Sequence, residues 1–60
     1  MASETHDALV KAMETYILES NRFEEENIKK AATSARNALS EISKLCLTRR
    51  KEILERVKTM

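Results

Sequence analysis

Apolar side chains return at helical intervals along this 60-residue chain. Leu9, Met13, Tyr16 and Ile17 recur at the spacing that lines one side of an α-helix. Ser3 is a good N-cap ahead of them, and Glu4 and Asp7 suit the positive end of a helix dipole. The pattern predicts a first helix over about residues 4–20.

A second, longer stripe follows. At about 100° per residue, Ile28, Ala35, Leu39, Ile42, Cys46, Ile53, Val57 and Met60 fall within about 60° of one another. They predict one helix continuing to about residue 58, with Thr59 and Met60 fraying. The early part of this helix is rich in alanine (Ala31, Ala32, Ala35, Ala38), so another helix can approach closely there. Leu47 and Leu54 fall outside the stripe, and either a place under the first helix or a contact between protomers would account for them.

Two turn sites compete between the helices. Ser20-Asn21 followed by Glu24 has the form of a capping box, with Glu24, Glu25 and Glu26 enriching the first turn of the next helix. A turn at Asn27 would instead leave those three acids at the unfavourable C-terminal end of the first helix. The dipole favours a turn at residues 20–22, within a window of 20–28.

The fold class that follows is all-α: a helical hairpin with a long second helix. The chain contains no Gly, no Pro, no Trp, one Phe and one Tyr. Tyr16 and Phe23 are the expected anchors where the helices meet. A domain this small buries only about 60% of the surface its unfolded chain exposes, and usually needs a disulfide, a metal or a partner. One Cys forms no internal disulfide, and one Cys with one His falls short of a structural zinc site. Self-association remains. The hairpin is therefore expected to dimerise into an antiparallel helical bundle, with Ile28, Ala35, Leu39, Ile42, Cys46, Ile53 and Val57 as the oligomer interface.

Composition narrows the chemistry further. No pairing of Ser, His, Cys or Asp has the spacing of a catalytic constellation, and no Gly-rich loop is present to cradle a phosphate. The expectation is a non-enzyme with no cofactor, no metal and no small-molecule substrate. His6 reads as an exposed helix-start residue and Cys46 as a small buried hydrophobe. No stretch approaches the ~20 apolar residues of a membrane span. The segment Met1 to Asp7 lacks the basic and apolar regions of a secretory signal, so a cytoplasmic, reducing location is expected.

The net charge of +1 conceals a strong asymmetry. Residues 1–28 carry seven acids against Lys11 and Arg22, a net of −5, whereas residues 29–60 carry nine bases against three acids, a net of +6. Arg22, Lys29, Arg36, Lys44, Lys51 and Lys58 share one side of the helical wheel, roughly opposite the apolar stripe. On a continuous helix they would extend for roughly 50 Å at ~1.5 Å per residue. Arg49, Arg50 and Arg56 widen the positive C-terminal end, and Lys30 adjoins Lys29. Such a rod suits a polyanion, since duplex DNA presents a phosphate every ~1.7 Å of its axis. The second helix has no aromatic residue, which argues against stacking on single strands. A coiled-coil oligomerisation module, whose acidic and basic halves match those of its neighbours, is the alternative.

Residues 29–53 also carry a recognisable register: Lys29, Ala31, Ala32, Thr33, Ala35, Arg36, Ala38, Leu39, Glu41, Ile42, Lys44, Leu45 and Arg50-Lys51-Glu52-Ile53. This run resembles the small bacterial histone-like nucleoid proteins of the chlamydial linker-histone-like family. Ser34 stands where that family carries an Arg, and the first half of this chain is acidic. The resemblance implies sequence-tolerant binding of double-stranded DNA and association with a nucleoid or genome. By carry-over, Lys29, Arg36, Lys44, Arg50 and Lys51 would be contact residues. The complete candidate set is Arg22, Lys29, Lys30, Arg36, Lys44, Arg49, Arg50, Lys51, Arg56 and Lys58.

Overall fold

The computed structural model describes residues 3–60. Two α-helices, α1 (Glu4–Glu26) and α2 (Lys29–Lys58), pack against each other as an antiparallel hairpin. Met1 and Ala2, on which the leader reading partly rests, lie outside the described residues. The body measures 48 × 18 × 13 Å, one helix thick.

Local chemistry explains where α1 starts. The Ser3 backbone is extended (φ −85°, ψ 153°), and its hydroxyl accepts the His6 N–H at 2.9 Å. One of the four orphan donors of the first turn is thereby satisfied. Glu4 and Asp7 supply the favoured negative charge.

The helix does not stop at residues 20–22. It continues to Glu26 and is closed by Asn27, which adopts the left-handed conformation (φ 55°, ψ 38°) and donates its N–H to the Phe23 carbonyl at 3.0 Å. Asn tolerates positive φ better than other non-glycine residues, so a single residue caps α1 without glycine. Three acids at the C-terminal end of α1 cost only tenths of a kcal/mol to about 1 kcal/mol each when exposed. Part of this is returned because α2 begins at Lys29, just past the turn, so the acids stand near its positive end. Lys29 and Lys30 lie likewise beside the negative end of α1. Arg22 adds local pairing, with contacts to Glu19 at 3.3 Å and Glu26 at 3.9 Å. Asn27→Ala should cost about 1 kcal/mol through its left-handed backbone, lowering the melting temperature by about 4–8 °C, whereas Asn27→Gly should not. Thermal melts followed by circular dichroism would show the difference.

The seam between the helices has coiled-coil spacing. On α2 the covered positions Ala31, Ala35, Ala38, Ile42, Leu45, Arg49 and Glu52 alternate steps of four and three residues, with Ala32 and Ser34 half-buried beside them near the turn. On α1 the half-buried positions Thr5, Leu9, Ala12, Tyr16 and Glu19 follow the same rhythm. Such a 3.5-residue repeat keeps one side of each helix against its partner. Among the described residues only Ala31, Ala35 and Ala38 are buried, Ala31 to 1% exposure. Small side chains there let α1 and α2 approach closely along the half of the hairpin nearest the turn.

This seam differs from the expected apolar stripe. Ala35 and Ile42 are used inside the hairpin, while Leu39, Ile53, Val57 and Cys46 are exposed. Cys46 is therefore not buried within one chain. Ile28, the N-cap of α2, is half-buried. Tyr16 is half-buried as anticipated, but Phe23, also expected to anchor the meeting of the helices, is 41% exposed.

Candidate nucleic-acid interface

Because Ala31, Ala35, Ala38, Ile42 and Leu45 face α1, the opposite side of α2 forms an outer edge of the molecule. Lys29, Arg36, Lys44, Lys51 and Lys58 occupy this edge. All five are exposed, and among the described residues none makes an ion pair. They run over nearly the full 30 residues of an unbroken helix. Around Arg36 lies a polar hollow of about 350 Å³ lined by Thr33, Arg36, Asn37 and Ser40. One guanidinium among two hydroxyls and an amide is a donor set suited to phosphate oxygens.

The remaining candidate cations divide. Lys30, Arg50 and Arg56 are exposed and unpaired among the described residues. Arg22 is on α1 and engaged with Glu19 and Glu26. Arg49 is on the seam side of α2, where its Nη1 donates to Glu52 Oε1 at 3.0 Å and to Ser3 Oγ at 3.2 Å. Glu52 Oε2 in turn accepts the Thr5 hydroxyl at 2.6 Å. These four residues clasp the open end of the hairpin, opposite the turn. Arg49 is thus placed for holding α1 to α2, and the outer edge does not include it.

The clasp leaves an electrostatic trace. The hydrogen bond from Thr5, and next that from Arg49, hold the Glu52 carboxyl below the usual carboxylate range. A carboxylate with a depressed native pKa stabilises the fold at pH values above its unfolded pKa, and that contribution disappears as pH falls through the native value. The gap in melting temperature between wild type and Glu52→Gln should therefore be open at neutral pH and close in acid. A gap independent of pH would remove the ionised carboxylate from the clasp.

The outward side of α1 is of opposite sign, carrying Asp7, Glu14 and Glu25, all exposed. The hairpin thus has one acidic and one basic long edge. Leu47 and Leu54 do not pack under α1. They are 62% and 56% exposed on the basic side and line a shallow hollow of about 550 Å³ with Arg50 and Lys51. The wheel placed them there, but periodicity alone carried no sign that they would stay uncovered.

No cluster of His, Cys, Asp or Glu able to hold a metal is present among the described residues, and no helix is long and apolar enough to cross a membrane. No protein-family model, curated protein or solved structure matches the chain.

Proposed function

We propose that this chain is a sequence-tolerant, histone-like protein that binds double-stranded DNA and coats or compacts a genome through the phosphate backbone. The observation that carries this reading is the basic edge of α2: five exposed cations that make no ion pair among the described residues, on the side turned away from α1. The hydrogen-bonding hollow at Arg36 adds polar contacts of the kind that position proteins on phosphates. The likeness of residues 29–53 to the histone-like pattern points the same way. The reading includes a homodimer and a nucleoid- or genome-associated place in the cytoplasm.

The driving force is counterion release. With about five phosphates neutralised per hairpin, log K should fall with log salt at a slope near −5. A gel shift on two unrelated duplexes across a salt series, with a light-scattering mass on the same samples, tests it. Similar retention of both duplexes and a steep slope support the proposal. No retention of either duplex at low salt overturns it.

One observation favours a second reading. Among the described residues eleven large hydrophobic side chains are exposed and none is fully buried, which suits a coiled-coil oligomerisation or scaffolding module with no nucleic-acid role. That reading expects association in solution and no shift of DNA.

A further inference from the structure

Seven-residue spacing places Ala32, Leu39, Cys46 and Ile53 in a single file on α2, one position beyond Ala31, Ala38, Leu45 and Glu52 of the seam, and Met60 follows at the same spacing just past the helix end. All five are apolar. Ala32 is half-buried, but Leu39 and Ile53 are about half exposed, Cys46 is exposed and Met60 almost wholly so, so α1 leaves the file uncovered from Leu39 onward. On α1, Val10, Met13 and Ile17 form a shorter exposed stripe. Each stripe is turned in the same sense from its own packing side. In an antiparallel pair of right-handed helices, that puts both on the same broad face of the hairpin.

We propose that this face is covered by a second copy of the same chain, with α2 lying antiparallel on α2 and the two Cys46 residues meeting at the two-fold axis. Three observations select this occupant. First, the helical part of the file is symmetric about Cys46, so that Leu39 meets Ile53 of the second copy. A two-fold interface requires such self-complementarity. Second, lengths match. The α2 file matches only another α2 file, which sets Ile53 against Leu39, whereas stacking α2 on the shorter α1 stripe would leave Ile53 and Val57 against the polar start of α1. Third, the broad face has an outline of 48 × 18 Å, room enough for the about 800 Å² per partner of a standard stable interface.

The pairing has a consequence for the edge described above. Stacking α2 on α2 sets two basic edges side by side at a helix spacing of about 8–10 Å, comparable with the Debye length at physiological salt. The partner copy contributes the second half of one broad cationic surface, and the two acidic edges gather on the far side. Polyanion binding and dimerisation then reinforce each other, because phosphates relieve the repulsion between the paired edges. This linkage rests on the nucleic-acid reading. The pairing itself does not.

The test is therefore run without nucleic acid on the full chain. Mild oxidation, or a short bis-maleimide, is applied to wild type, to Leu39→Cys/Cys46→Ser, to Ile53→Cys/Cys46→Ser and to an equal mixture of the two variants, each checked for native helicity. Wild type should yield a covalent dimer through Cys46. The mixture should give several-fold more crosslinked dimer than either variant alone. Absence of a Cys46 dimer, or a mixture no better than its components, overturns the α2-on-α2 arrangement. A Cys46-linked dimer that fails to shift DNA would uphold the pairing and defeat the nucleic-acid reading, so the two fail separately.

Discussion

Replacing Ala38 by Asp should unfold the chain. Ala38 is 8% exposed beneath α1, and no buried polar or charged side chain among the described residues is available to pair with a new carboxylate. An uncompensated buried charge costs several kcal/mol. At about 0.05–0.15 kcal/mol per residue, a chain of this size has roughly 3–9 kcal/mol of stability in total. The expected result is loss of most of the helical circular dichroism at 25 °C. Leu47→Asp, at a position 62% exposed on the outer side of α2, should leave the spectrum unchanged. Equal tolerance of both changes would mean that the alanines do not form the seam.

Reversing Arg36 and Lys51 together to glutamate should weaken DNA binding by about 100-fold or more at moderate salt, alike for unrelated duplexes. Two phosphate contacts are lost and two repulsions are introduced, so the salt slope should drop from near −5 to about −3 or shallower. Both residues are exposed and without ion pairs among the described residues, so the hairpin should keep its melting temperature. Arg49→Gln makes an instructive contrast. Its guanidinium holds Ser3 and Glu52, so its loss should act on stability more than on the salt slope. Unchanged DNA affinity after the double reversal would leave the basic edge as a solvated surface.

The hairpin itself was legible in the sequence because two amphipathic segments free of glycine and proline leave few alternatives to helix. Its turn was legible only as a window. The dipole argument favoured residues 20–22, but Asn27 supplies a left-handed cap that costs little, and the acids it leaves behind face the start of α2. The seam was harder to read, for a physical reason. Hydropathy draws attention to bulky residues, and a stripe through Leu39, Cys46 and Ile53 scores well. The contact instead uses alanines near the turn and a hydrogen-bonded clasp of Ser3, Thr5, Arg49 and Glu52 at the open end. Neither feature is hydrophobic enough to stand out. The alanine-rich stretch was the available signal, since it marks a close approach without naming the partner helix. The outer cations were legible, because once a helix is long and one side is apolar, the charged side has nowhere else to lie. That Arg22 and Arg49 spend their charge on neighbouring carboxylates required coordinates.

The three buried alanines have an implication for how such a chain changes over generations. A molecule with so little inside places strict demands on very few positions, since substitutions at exposed sites typically shift stability by no more than about 0.5 kcal/mol. Most of its letters are free to drift while shape and surface charge persist. Descendants of a common ancestor would then be better recognised by small residues at 31, 35 and 38, an asparagine or glycine at the bend and opposite charge on the two rims than by residue-for-residue identity.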